Sequence, residues 1–531
     1  GAFLLAQGEM RCRGFNHQPA ARPVFRECGL FPLYSERAAP LSSICDRFVG
    51  LESHIFIDWL RMTLQANYLV VGTGAMGMAF VDTLLTETDA TIVMVDKHGK
   101  PGGHWNDAYP FVHLHQPSSF YGVNSEKLGD DAIDETGWNK GLHELASGDE
   151  ICAYYEHVMQ RRFIASGRVK YFPMSEFIGD KSFKSIVTGD VQQVTADKVV
   201  DATYMNVSVP SVKPPEYQVD SDVACMPLND LPQLKQSHSQ YVVIGAGKTG
   251  MDACLWLLSN QVAPDTISWV MPRDSWILDR ANIQPGRDGA TIGLTGLAGQ
   301  MHAIAESKSI DDMFDHVQEN GQLLRIDDAV KPSMYRCATV TDLELQQLKR
   351  IKNIIRKGRV TRASKGQLEL ADGSVSLNED SLYIDCTADA LARRPVVPVF
   401  HGDQITLQTV RFCQQVFSAA FIAHIEANYE SADERNRLCT VVPHPNRATD
   451  WMRVTLAHAM NQLTWSADAS LVEWLGNARL DAFSQPASAG PKPTAEMQEA
   501  MAKINENGPT ALQKLQTYIE LADKSERALI H

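Results

Sequence analysis

The sequence predicts an α/β protein made of two Rossmann-like, three-layer dinucleotide-binding units with helical inserts. Two observations carry this. A short apolar run, a G-x-G-x-x-G turn and an apolar helix-spaced stretch occur in succession twice, at 68–85 and at 241–258. In the first copy the next apolar run ends on an acid about 20 residues past the glycines, where a ribose diol is held in such folds. With 531 residues, 44% of them hydrophobic and 21% charged, the chain has the composition of a globular protein and room for several domain-sized parts.

In chain order, residues 1–61 contain no lysine; the first is Lys97. They hold Cys12, Cys28 and Cys45 and no sustained periodicity, and their acids nearly balance their arginines. That argues against a targeting leader. They are expected to form a poorly structured extension, with the enzyme proper starting near Met62.

The first unit is expected over 62–205. Tyr68-Leu69-Val70-Val71 reads as a buried strand that feeds Gly72-Thr73-Gly74-Ala75-Met76-Gly77. Gly72 suits the tight turn, Gly74 the approach of backbone amides to a pyrophosphate, and Gly77 the close packing of helix on strand. The helix N-terminus then faces the phosphate charge. The next strand, Thr91–Val95, ends at Asp96, the expected ribose ligand. An insert near 123–165 reads as polar and mostly helical. Residues 206–237, with Pro210, Pro214, Pro215, Pro227 and Pro232, read as a linker.

The second unit is expected over 238–388. Tyr241–Ile244 leads into Gly245-Ala246-Gly247-Lys248-Thr249-Gly250. Its second strand, Thr266–Val270, runs into Met271-Pro272-Arg273, with no acid. An arginine there pairs with a 2′-phosphate that a carboxylate would repel, which favours NADPH. Lys248 would add charge near the phosphates. An insert at 281–350 includes a helix around 343–354, and 358–375 reads as a hairpin closed at Asp372-Gly373. Asp279, Arg280 and Gln284 face either the cleft or solvent. Residues 389–485 return to the first unit with an apolar helix at 412–425. The tail 486–531 starts with a Pro/Ala/Ser link and continues as two helices. Two dinucleotide units in one chain imply two cofactors, and electron transfer between them suggests FAD beside NADPH.

After Asp96 comes Lys97-His98-Gly99-Lys100-Pro101-Gly102-Gly103-His104-Trp105. This G-G-x-W string resembles the FAD domain of the class B flavin monooxygenases, which include flavin-containing, Baeyer–Villiger and N-hydroxylating enzymes. Lys198–Tyr204 and Ser381–Ala388 resemble the segments that close the two dinucleotide regions of that family. The family's F-x-G-x-x-x-H fingerprint is not found; Glu176-Phe177-Ile178-Gly179-Asp180-Lys181 lies in the corresponding interval. The resemblance implies an FAD- and NADPH-dependent monooxygenase that acts on a small organic substrate with molecular oxygen through a C4a-(hydro)peroxyflavin. It also implies that Lys97, Gly103, His104, Trp105, His115 and Gln116 meet the flavin cofactor, with Gln116 the candidate side chain near N5. A flavin dehydrogenase or reductase without oxygen insertion, and a non-catalytic redox sensor, are the alternatives.

Several classes are disfavoured. A net charge of −15 repels a phosphate backbone, so no nucleic-acid partner is expected. No run reaches the ~18 apolar residues of a membrane span, and a cytoplasmic location is expected. No C-x-x-C occurs among the ten Cys, which argues against a zinc ribbon or a dithiol centre. His113 and His115 lack a third ligand at a metal-site spacing, so no metal is expected. Cys386, at a strand end, reads as a small core residue. No G-x-S-x-G elbow is present.

Overall fold

Leu69, Val70, Val93 and Met94 are wholly buried, as expected of strands covered on both faces. They belong to β1 (Leu64–Val71) and β2 (Ile92–Val95) of a parallel sheet, with α1 (Ala75–Glu87) crossing between them. The computed structural model describes residues 64–388, 394–481 and 493–528. The extension expected at 1–61 and most of the link that begins at Pro486 lie outside the described residues.

After β2 the chain passes through α2 (Gly148–Val158) to β3 (Val169–Phe172) and a hairpin of β4 (Ser175–Gly179) and β5 (Ser182–Ser185). It then enters β6 (Val191–Asp201). β3, β2, β1 and β6 lie side by side in that order, all parallel.

The second unit repeats this path. Ahead of it come β7 (Gln218–Val219) and β8 (Ala224–Pro227), followed by β9 (Gln240–Ile244), α3 (Lys248–Ser259) and β10 (Ile267–Val270). The crossover insert holds β11 (Ser275–Asp279), α4 (Gly286–Glu306), α5 (Ile310–Glu319), β12 (Met334–Val340) and α6 (Asp342–Leu348). β13 (Asn353–Ile355), the meander β14 (Val360–Ser364), β15 (Gln367–Leu370) and β16 (Gly373–Ser376), and β17 (Ser381–Asp385) complete it. The sheet order is β13-β10-β9-β17-β8, again parallel throughout. Each unit is therefore wired third, second, first, last strand, with an antiparallel excursion before the last. Two Rossmann-like three-layer units are present, as the glycine motifs predict.

The return segment adds β18 (Phe400–His401) and β19 (Gln404–Thr406) to the edge of the first sheet beside β6. It then forms α7 (Gln415–Asn428), α8 (Ala432–Leu438), α9 (Asp450–Ser466), α10 (Ala469–Asn477) and, after the link, α11 (Ala495–Ala528). α7 packs on α1. α7 is buried along nearly its whole length, because a helix apolar on every side fits only between other layers.

Local expectations fail where tertiary pairing overrides pattern. The insert near 123–165 is irregular up to Ser147; its only α-helix is α2, started by a capping box of Ser147 and Glu150. The 206–237 linker carries β8, which joins the second sheet, so that unit starts earlier than its glycine motif suggests. The helix expected at 343–354 stops at Leu348, and Asn353–Ile355 becomes the third parallel strand. The single hairpin is a three-stranded meander, because Lys365-Gly366 also turns. The two tail helices are one, running through Asn507-Gly508-Pro509. Ala511, Leu515, Tyr518 and Ala522 on this helix bury against the core that contains Met301 and Ile304 of α4. Packing along that face holds a helix that Gly and Pro would otherwise interrupt.

Candidate functional site

Each glycine loop sits at the C-terminal end of its first strand, where ligands bind in open α/β sheets. Gly72 has φ +99° and Gly245 φ +135°, a region only glycine enters freely. A Cβ on Gly72 would lie 2.8 Å from Cγ2 of Thr203, and one on Gly245 would lie 2.5 Å from the Cys386 carbonyl oxygen. The two strand endings are thus pressed against the two turns. Asp201 Oδ1 accepts from Thr203 N (2.8 Å) and Oγ1 (2.7 Å), and Asp385 Oδ1 accepts from Thr387 Oγ1 (2.7 Å), so the endings are also built alike. A side chain on Gly77 would collide with the Gly72 carbonyl, and one on Gly250 with the Gly245 carbonyl. Both of these glycines serve helix–strand packing.

α1 and α3 are preceded by Gly74 and Gly247 at their N-caps, with no side-chain cap and no acid in the first turn. Their leading N–H groups are left for an anionic ligand. Nothing lies within 4 Å of a Cβ placed on Gly247, whereas Gly74 faces Gly103, whose own Cβ would be 2.9 Å from Gly74 Cα. The second glycine of the loop and the second of the G-G-x-W string are therefore packed backbone to backbone.

A single cavity of about 940 Å³ runs between the two loops. Of the residues read as candidates, Gly72, Gly74, Ala75, Met76, Asp96, Lys97, Gly103, His104, Trp105, His115 and Gln116 line it from the first unit. Gly245, Gly247, Lys248, Thr249 and Arg273 line it from the second. Gly77 and Gly250 stand behind the wall.

The polar groups of this wall are already organised. Asp96 Oδ2 accepts from Thr73 N (2.6 Å) and Oγ1 (2.9 Å), and Oδ1 from His98 N (2.8 Å), with His98 Nδ1 at 3.0 Å. Burial opposes its ionisation, but these hydrogen bonds outweigh burial and hold it below the usual carboxylate range. His98 Nε2 is 2.9 Å from Asp107. The hydrogen bond to Asp96 and then the partly opposing burial set the imidazole above its ordinary value. His104 and His115 are the reverse: burial pulls them down to about 4 and about 3. His115 is therefore neutral, and its buried Nδ1 has no hydrogen-bond partner, as is true of Gln414 Oε1 in the same wall. Trp105 donates to the Tyr121 hydroxyl at 2.7 Å and meets that ring edge-on.

In the second unit Lys248 is ion-paired with Asp252, which also accepts from the Tyr109 hydroxyl at 2.6 Å. Its charge is directed along α3, to a carboxylate one turn further on the same helix. Arg273 donates to Asn446 Oδ1 at 3.0 Å, and Arg336 donates to the same oxygen at 2.8 Å. Arg336, Asn446, Gln414, Cys337 and Cys413 come from the crossover insert and the return segment, and no motif marks them. Arg280 is buried and binds Glu344, Asn139 and the His115 carbonyl, so it supports the His115 backbone. Gln284 Oε1 accepts from His143 N. His113 is exposed, with Nδ1 3.1 Å from the Phe111 carbonyl. No group of three or more His, Cys, Asp or Glu suited to a metal occurs among the described residues. Cys386 is buried, and burial pushes its thiol well up. No helix among the described residues is long and apolar enough to cross a membrane.

The fold and cleft define a protein with two Rossmann-like units facing one cavity. The chain belongs to the family of a Mycobacterium tuberculosis protein described as "Uncharacterized protein Rv2000". The two are 51% identical over 419 residues, which is 79% of this chain and 78% of that one. "Uncharacterized protein Mb2023" of Mycobacterium bovis matches to the same extent. No family model matches the sequence. Among solved structures, an open crystal structure of cyclohexanone monooxygenase covers 84% of this chain and 98% of its own at 15% identity and TM-score 0.45. A crystal structure of OTEMO complexed with FAD and NADP covers 69% and 84% at 13% identity and TM-score 0.44.

Proposed function

We propose that this chain is an FAD- and NADPH-dependent oxidoreductase, and specifically a monooxygenase that uses molecular oxygen on a small organic substrate. The observation that carries the reading is the single cavity lined by both uncapped glycine loops. It brings two dinucleotide sites within reach of each other, which hydride transfer between cofactors requires. The residues fit the cofactors. Gly247 offers an open cradle, and His115 Nδ1 and Gln414 Oε1 are buried polar atoms in want of partners.

In this reading Gly72, Gly74, Ala75, Met76 and Gly103 hold FAD, with Trp105 and Gln116 along its ring, while Gly245, Gly247, Thr249 and Arg273 hold NADPH. FAD, when bound, supplies two-electron chemistry and reactivity toward oxygen. The chain's own residues do the rest. Neutral His115 offers one donor and one acceptor without a competing charge. Trp105 and Tyr121 form an apolar wall that keeps water from the ring. The Asn446 amide holds Arg273 and Arg336 together on the nucleotide side.

A second reading, a flavin reductase without oxygen insertion, is favoured by one feature: Glu176 and Phe177 line the cavity on β4, in the interval where the monooxygenase fingerprint would fall. The test begins with the visible spectrum of the purified protein, then an anaerobic NADPH titration, then NADPH, oxygen and peroxide stoichiometry with candidate substrates. Flavin bands that Gly74→Val abolishes, with substrate-coupled oxygen uptake, support the monooxygenase. Bleaching by NADPH without coupled uptake supports the reductase, and absence of flavin overturns both.

A further inference from the structure

We propose that Cys337 and Cys413 form a reversible thiol–disulfide site in the wall of the cleft, reduced by small dithiols that reach it through the cavity. The two residues are 76 apart in sequence and bonded to each other, with Cα atoms 6.4 Å apart, within the range a disulfide spans. No C-x-x-C spacing announces them. Cys337 lies on β12, in the crossover insert of the second unit; Cys413 lies just before α7, in the segment that returns to the first. The bond therefore ties the two dinucleotide units together at their shared cavity, which both cysteines line.

Three observations make the site reversible rather than a buried staple. First, both cysteines hold left-handed backbone, φ +58° at Cys337 and +51° at Cys413. A side-chain-bearing residue enters that region at a cost, and such conformations gather at functional sites. Second, the other described cysteines (Cys152, Cys225, Cys254, Cys386 and Cys439) are unpaired, and burial pushes their thiols up, which makes them poor nucleophiles. Both members of this pair line the cavity, Cys337 buried at 6% exposure; the unpaired Cys386 also borders it. Third, the segments stay together without the bond. Tyr335 stacks on Phe412 at 6.2 Å and 22°, Met334 bridges to Arg447, and Arg336 binds Asn446. A pair held together by its neighbours recloses readily after opening.

The step balances as an exchange. One thiolate of the dithiol attacks a sulfur of the pair, forming a mixed disulfide and releasing the other cysteine as a thiolate. The second reagent thiol then displaces the remaining cysteine. The reagent leaves as its cyclic disulfide, oxidised by two electrons, and its two protons end on Cys337 and Cys413.

The test uses the full chain and peptide mapping. Trypsin after Arg336 and Arg411 yields peptides 337–349 and 412–435. In protein oxidised with trans-4,5-dihydroxydithiane and alkylated before unfolding, the two should appear cross-linked. Dithiothreitol under native conditions should convert them to two alkylated peptides with the fold retained by circular dichroism, and re-oxidation should restore the link. In Cys413→Ser or Cys337→Ser the partner cysteine should become alkylatable in the native state. Saturating NADP+ should slow reduction several-fold by filling the route. That arm rests on the nucleotide reading, so NADP+ binding is measured separately by tryptophan fluorescence. If NADP+ fails to bind, that reading fails while the peptide map still decides this one. Absence of the cross-link after oxidation, resistance to dithiol until the chain unfolds, or an unchanged rate with NADP+ bound would each overturn the proposal.

Discussion

In the first unit the glycine loop is tied by a carboxylate: Asp96, at the end of β2, takes both the amide and the hydroxyl of Thr73. In the second, the residue after β10 is the buried Met271, and the tie comes one layer back, where Trp269 Nε1 donates to the Gly245 carbonyl at 2.8 Å. One loop is held through an N–H by a charge and the other through a C=O by an indole. The shared motif thus specifies the turn, while the groups fixing it are free to vary. Freed from anchoring by a carboxylate, the second unit presents Arg273 at the cavity, a charge suited to a phosphate.

The largest expected effect tests what the units share. Gly77→Ala and Gly250→Ala each drive a methyl into a backbone carbonyl that cannot move aside. Each should cost on the order of 3 kcal/mol, as severe overpacking does, read as the urea midpoint at unchanged slope. A small loss in one unit alone would break the equivalence of the two turns.

Arg273→Ala tests where they differ. A guanidinium–phosphate pair is worth about 1.5–3 kcal/mol, roughly 10- to 150-fold in affinity. NADPH binding should weaken by that factor with NADH nearly unchanged, measured by anaerobic nucleotide titration. Equal weakening of both would assign the phosphate to another group, with Arg336 the next to test.

Smaller effects should follow from the anchors. Trp269→Phe removes one neutral hydrogen bond and leaves the Gly245 carbonyl without that donor, a loss of about 1 kcal/mol. Thr73→Val does the same to Asp96 through the hydroxyl alone. Chemical denaturation of both variants should give similar losses.

The finest contrast is with pH. Asp96 is held below its unfolded value, so its contribution is present above about pH 4 and is lost as pH falls through the folded value. His98 is raised, so its contribution is full below about pH 6.5 and is lost as pH rises through the folded value. The pair therefore favours the native state most between these limits. Asp107 faces His98 at 2.9 Å, whereas buried His104 stays neutral and opposes stability as pH falls. Comparing wild type with His98→Asn isolates the pair: the stability gap should be larger at pH 5.5 than at pH 8.5. A gap independent of pH would mean that His98 acts by shape alone.

The features legible in the residues alone are local: strand, glycine turn, helix, and the Asp-x-Thr endings at Asp201 and Asp385. Their geometry depends on neighbours within a few residues and on glycines at which a Cβ collides, so composition and spacing suffice. The rest came from long-range packing. It ran α11 through Gly508-Pro509, turned part of a linker into β8, and joined Cys337 to Cys413. It also closed the cavity with Arg336 and Gln414, from segments with no motif of their own. Those outcomes depend on which distant surfaces meet, and burial against a partner outweighs the few tenths of a kcal/mol per residue by which local preference speaks.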